Sequence, residues 1–252
     1  MSVEANKKVI VFENVSKTFP FYSHIRRGIK GFICNLPQAL KDMKNGRFVA
    51  LRDISFEIER GQSVGIIGRN GEGKSTILSL IAGVIRPTTG TVRVEGKVFP
   101  ILELGSGFHP DLTGRENIIL NGVLLGLTRS EMRAQLNDII EFSELGEFID
   151  QPIRTYSTGM IARLGFSVVL AAKPDILLVD EVLAVGDIAF QKKCFHKMLR
   201  FKEDGATIVF VSHDMTAVRN MCEKVIWIEN HTVKRIGKPE EVIEEYIRRI
   251  SP

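Results

Sequence analysis

The sequence predicts an α/β fold with a helical insert, and three observations carry that prediction. Apolar, β-branched runs at Ser63–Ile67, Ile176–Val179 and Thr207–Val211 have the unbroken hydrophobicity of parallel strands covered on both faces. The first of them ends at a glycine loop followed by a helically spaced segment (STILSLIAG), which makes a strand, loop and helix in succession. Between about Leu112 and Ala172 the periodicity turns helical, a block set into the strand pattern.

Taken in order, Val9–Phe12 reads as a short strand, and Ile54–Ile58 (ISFEI) alternates like a strand with one buried face. Between them lies segment 20–48, where Arg26, Arg27, Lys30, Lys41, Lys44 and Arg47 face a single acid, Asp42, for a net charge of +5. Phe21, Tyr22, Ile25, Ile29, Phe32 and Ile33 recur there at mixed three- and four-residue spacing, as on an interfacial helix. A membrane surface or an anionic partner fits this segment; a solvated insertion folded onto its own domain fits it equally. The helix after the glycine loop stops at Gly83. Glu131–Phe142 is amphipathic, whereas Met160–Ala172 is apolar nearly all round until Pro174. A last amphipathic helix spans 239–250 and carries Pro239 in its first turn.

The chain has 252 residues, 34 basic and 30 acidic, and is 44% hydrophobic, which excludes a disordered chain or a disulfide scaffold. Outside 20–48 the charge is about balanced and no recognition module is visible, so nucleic acid is not an expected partner. Cys34, Cys194 and Cys222 lie far apart, which offers neither a zinc site nor a disulfide framework and implies a reducing, cytosolic address. The first apolar run is too short for a signal peptide, and no run approaches the roughly 18 apolar residues of a spanning helix. Work at a membrane would need a partner that provides the spans.

Gly68-Arg69-Asn70-Gly71-Glu72-Gly73-Lys74-Ser75-Thr76 fits the phosphate-loop pattern G-x-x-x-x-G-K-[ST] and sits between strand and helix, as that chemistry requires. Backbone N–H groups freed by the glycines face phosphate oxygens, Lys74 reaches the β and γ phosphates, and Ser75 ligates Mg²⁺. Glu72 is unexpected beside an anion and is expected to point to solvent. Asp180 ends the run ILLVD and is the candidate metal carboxylate; Glu181, next to it, is the candidate general base that orients a water. His213 follows the next buried run at the same sheet edge, the edge where such folds bind ligands.

With these residues placed, Tyr156-Ser157-Thr158-Gly159-Met160 becomes informative. The chain resembles the nucleotide-binding subunit of an ABC transporter over nearly its whole length, through the phosphate loop, the YSTGM signature, ILLVDE, LAVGD ending at Asp187, and VSHD. The Tyr-Ser-x-Gly-Met signature, DEVLAVGD and LELGSGFHPDLTGRENI are similar to the polysaccharide-exporting branch, which moves O-antigen, capsule or teichoic acid chains. The resemblance implies a P-loop NTPase ABC nucleotide-binding domain over 1–252, with a mainly parallel core sheet, an antiparallel β subdomain and a helical subdomain at about 112–172. It also implies ATP and Mg²⁺ as cofactors, a homodimer, and two copies of a separate polytopic permease at the cytoplasmic face of the inner membrane.

In such a homodimer Ser157, Thr158 and Gly159, at a helix start, close on ATP held by the other copy. Phe19 stands where the family places an aromatic on adenine. The usual Q-loop glutamine is missing, and Glu103 is its nearest replacement on the metal side. Segment 20–48 resembles the extra helix these exporters carry near lipid head groups or the pyrophosphate of a lipid-linked glycan. Because the ATPase should finish near Pro252, no appended carbohydrate-binding domain is expected. A soluble ABC ATPase of translation or DNA maintenance, and a nucleotide-regulated switch, are the competing readings. The first usually needs a second nucleotide domain or a long coiled coil, and the second has no use for Glu181 and His213.

Overall fold

A computed structural model describes residues 7–20, 47–101, 105–171, 173–180 and 187–250. The three buried runs are strands of one six-stranded sheet, ordered β5-β6-β7-β3-β8-β9. They are β3 (Ser63–Ile67), β6 (Ile176–Asp180) and β7 (Thr207–Val211); β5 (Val98–Ile101) and β8 (Lys224–Glu229) join them in parallel, and β9 (Thr232–Gly237) closes the edge antiparallel.

Successive strand residues point to opposite faces, and here both faces are covered. Val64, Ile66, Leu178, Val209, Val211, Ile226 and Ile228 pack on one side with helix α1 (Lys74–Ile81). Ile67, Leu177, Val179, Ile208, Phe210, Val225 and Trp227 pack on the other. The unbroken apolar runs therefore have a direct cause: no position of Ser63–Ile67, Ile176–Val179 or Thr207–Val211 faces water.

Over the α1 face lies a three-stranded antiparallel sheet, ordered β2-β1-β4, of β1 (Lys8–Pro20), β2 (Arg47–Glu59) and β4 (Thr89–Val94). Phe12 and Phe56 stack across it with ring centroids 4.4 Å apart. Both β1 and β2 run well beyond the segments expected from hydrophobic pattern. Bulges shift the register at four points along the pair, and Asn14 (φ 49°) and Asp53 (φ 47°) break the alternation. Ser55 and Ser16 side chains accept the backbone N–H groups of Asn14 and Asp53 at those irregularities.

The helical block comprises α2 (Gly114–Leu124), α3 (Arg129–Ser143), two short 3₁₀ turns and α4 (Thr158–Ala171). Its own core contains Ile118, Met132, Ile139, Ile149, Tyr156, Leu164 and Val168. Capping boxes start two of its helices, Thr113 with Glu116 and Thr128 with Glu131, and in each the carboxyl is held below its ordinary range by bonds from the cap threonine. The apolar girth of α4 follows from its position: Leu164 and Val168 face this block while Phe166, Val169 and Leu170 face the sheet core. Helices α5 (Ile188–Glu203), α6 (Met215–Met221) and α7 (Pro239–Ile250) complete the second face. Among the described residues no helix is long and apolar enough to cross a membrane.

Candidate functional site

Strands β3, β7 and β6 are adjacent and parallel, so the glycine loop after β3, His213 after β7 and Asp180 at the end of β6 all stand at one sheet edge. The loop is pressed against its neighbours. A Cβ on Gly68 would sit 2.4 Å from the Ile228 carbonyl oxygen, and one on Gly73 (φ 97°) would meet the Ala50 carbonyl oxygen at 2.4 Å. Only glycine fits at either place. Gly73 is also the cap of α1 and offers no side-chain bond to it, and the first turn holds no acid, so the helix amides there remain available to an anion.

Lys74 is 7% exposed, and its ammonium donates to the carbonyl oxygens of Gly68 and Arg69 at 2.8 and 3.0 Å. Around it opens a cleft of about 500 Å³ lined by Asn70, Gly71, Gly73, Lys74, Ser75 and Thr76 together with Asp180, Phe48 and Ala50. The Ser75 hydroxyl and the Asp180 carboxylate are hard oxygen donors in the same cleft. Among the described residues no group of three or more His, Cys, Asp or Glu side chains could form an all-protein metal cage. One hydroxyl and one carboxylate completed by phosphate oxygens and water is the manner in which Mg²⁺ is held, so the donor set fits that ion.

Several sequence expectations meet a different geometry. The Glu72 side chain does not point to solvent: its Oε2 accepts the backbone N–H of His231 at 2.9 Å. Phe19 is paired across the strands with Phe48 and has the Lys17 ammonium 5.0 Å from its ring, but it does not line the cleft. Phe48, 46% exposed, does. The sequence reading passed over Phe48 because pairing of β1 with β2, not any motif, brings it there; the aromatic just before the VAL run of β2 was the available signal. Glu181 and Glu103, and segment 21–46 with its basic residues, lie outside the described residues.

Asp214, beside the exposed His213, caps α6 through the N–H groups of Thr216 and Ala217. Ser157 caps α4, accepting the Met160 N–H at 3.2 Å, and Tyr156 beneath it donates to the Phe148 carbonyl at 2.5 Å. Ser157, Thr158 and Gly159 line no part of the cleft of their own chain. Asp187 caps α5 through the Phe190 N–H and pairs with Arg163 of α4 at 2.5 Å. Those bonds, the Phe190 N–H first, hold its carboxyl below the ordinary range. Arg163 also reaches Glu144, which Lys193 of α5 shares at 2.8 Å. Cys194 and Cys222 are buried, which pushes each thiol up to about 12, so neither is a nucleophile. A groove of about 130 Å³ beside the end of β5 is lined by Gly105, Ser106, Asn121, Leu124, Gly165 and Val169, between α2 and α4.

A phosphate loop on a parallel sheet, a carboxylate at the end of the strand next but one and an inserted helical block define an ATP-binding cassette. The family model described as ABC transporter matches residues 51–184, and the chain belongs to that family. It is 56% identical over 238 residues to the O-antigen export system ATP-binding protein RfbB of Klebsiella pneumoniae, across 94% of this chain and 97% of that protein. The teichoic acids export ATP-binding protein TagH of Lactococcus lactis subsp. lactis is 51% identical over 199 residues, which cover 79% of this chain and 42% of the relative. Among solved structures the dimeric post-hydrolysis state of the ATP-binding cassette MJ0796, bound to ADP and Pi, shares the fold with a TM-score of 0.72 and 24% identity, over 91% and 98% of the two chains.

Proposed function

We propose that this chain is the ATP-hydrolysing subunit of an ABC exporter that carries a lipid-linked polysaccharide, O-antigen foremost, across the inner membrane. The observation that carries the reading is the meeting of Lys74, Ser75 and Asp180 in one cleft, in a chain that matches an O-antigen export ATP-binding protein over nearly its full length. Lys74 binds the β and γ phosphates, and the amides at the start of α1 take the remaining oxygens. Ser75 and Asp180 would hold Mg²⁺, which would supply positive charge to the phosphates, and Glu103 would stand in for the glutamine on that side. Glu181 orients and deprotonates the attacking water, and His213 contacts the γ phosphate. Phe48, cross-strand neighbour of Phe19, forms the wall for the base.

Ser157, Thr158, Gly159 and Asp187 act on the nucleotide of a second copy, so two composite sites form in a homodimer. Closure drives two copies of a polytopic permease seated beside residues 101–113, where the groove near Leu124 offers an apolar, half-open surface. The basic segment between β1 and β2, residues 21–46, meets lipid head groups or the glycan pyrophosphate at the cytoplasmic face. The 51% identity to a teichoic acids export protein favours that cargo as the second reading.

The test is purification of the Glu181→Gln protein from detergent-solubilised membranes with ATP, followed by mass spectrometry of what accompanies it. A small multispanning protein in equal amount is expected, and a retained lipid-linked glycan would identify the cargo. Ribosomes, DNA or no partner would overturn the export reading.

A further inference from the structure

The bond from the His231 N–H to Glu72 lies outside the phosphate-loop chemistry, yet it joins that loop to a turn whose histidine ring meets Phe48 of the cleft lining. Asn230 and His231 form the two-residue turn between β8 and β9, with φ of 51° and 63°. A hairpin turn of that kind wants glycine or asparagine, and histidine is strained in it. Two bonds from outside the hairpin hold it: Glu72 Oε2 accepts the His231 N–H at 2.9 Å, and the His231 carbonyl accepts the N–H of Arg52 in β2 at 2.8 Å. The His231 Nδ1 is buried with no hydrogen-bond partner among the described residues, so these backbone bonds position the ring. The His231 and Phe48 rings meet edge to face, with centroids 5.8 Å apart at 83°. The loop that holds phosphates is thus linked to the aromatic wall through Glu72, the turn and His231.

We propose that Glu72 is a positioning residue for the base end of the nucleotide, fixing His231 so that Phe48 is set at the base-facing wall. The proposal rests on the reading of Phe48 as that wall. Glu72 touches neither phosphate nor base; it acts through the turn. An unsupported Phe48 ring would sample other orientations, and the loss would fall on the base and not on the phosphates. An edge-to-face ring contact of this kind corresponds to about a two- to tenfold change in affinity.

The test measures dissociation constants of ATP and of inorganic tripolyphosphate, which has no base, by calorimetry on the full chain with Mg²⁺. Glu72→Ala is expected to weaken ATP by about two- to tenfold and tripolyphosphate by less, whereas Glu72→Gln, which keeps a carbonyl acceptor, stays near wild type. Glu72→Ala combined with Phe48→Ala should bind ATP no worse than Phe48→Ala alone. His231→Gly keeps the N–H, relieves the turn and removes only the ring, so it should show the same base-selective loss even if Glu72→Ala folds poorly. Equal weakening of both ligands by Glu72→Ala, or additive losses in the double variant, would overturn the proposal while leaving the Phe48 wall intact. A Phe48→Ala protein with wild-type ATP affinity would instead remove the wall itself, and the proposal with it.

Discussion

Lys74 is almost fully buried and its ammonium is held by two carbonyls of its own loop, so its direction is set by the fold. Lys74→Ala is expected to weaken ATP binding by at least about tenfold, since it removes the charge-assisted donor to two phosphates. Calorimetry at fixed ionic strength checks this. Lys74→Arg should not restore affinity, because a planar fork does not fit where a compact ammonium is enclosed by Gly68 and Arg69. Near-wild-type binding by either variant would remove Lys74 from the phosphate site. At this scale the sequence was most legible where the chemistry is local. The loop residues and Asp180 announce themselves by spacing and by the strands beside them. Phe48 and Glu72 did not, because their partners at the cleft wall and at His231 arrive through strand pairing and a distant hairpin.

Where helices meet, the Asp187, Arg163, Glu144 and Lys193 side chains join the start of α5 to α4 and to the end of α3. Asp187 has two separable tasks there, capping α5 and pairing with Arg163, whose side chain is 18% exposed and lies over the Phe190 ring. Asparagine caps a helix about as well as aspartate but carries no charge. Asp187→Asn should therefore lose less stability than Asp187→Ala, which forfeits the cap as well. Denaturant titration ranks the two, and equal losses would mean that the cap contributes nothing. Because the folded-state pKa of Asp187 is depressed, its contribution is full above the ordinary carboxyl pKa near 4 and fades as pH falls below it. Asp187→Asn should flatten that part of the acid profile.

Element prediction worked where burial is simple. Strands β3, β6 and β7, covered on both faces, read as continuous runs, and α3 read as amphipathic because one face is wet, but β8, just as buried, was passed over. It stopped short in β1 and β2, where bulges interrupt the period, and passed over β4, which is nowhere fully buried. Helix α5 did carry a signal, Phe190, Cys194, Met198 and Phe201 spaced along one face, but charged residues between them hide it.

At the scale of the whole molecule the decisive fact is a separation: Ser157, Thr158 and Gly159 start α4 and line no part of the cleft that holds Lys74 and Asp180. If these residues act on nucleotide, the nucleotide belongs to another copy, and a bound ATP that is not consumed should hold two chains together. Glu181→Gln with ATP and Mg²⁺ is expected to run at twice the monomer mass by light scattering, and Lys74→Ala to remain monomeric. Ser157→Asp in the Glu181→Gln background isolates the cause. Aspartate caps a helix as well as serine does, so the bond to the Met160 N–H and the fold survive, and the melting temperature should not change by more than a few degrees. Yet it sets a carboxylate where the γ phosphate of the facing copy would lie, and two anions in a closed, poorly solvated contact repel strongly. The expected outcome is a folded monomer that still binds ATP in its own cleft. A stable ATP dimer from that double variant would show that the signature turn lies outside the interface, and the composite site would have to be rebuilt from other residues.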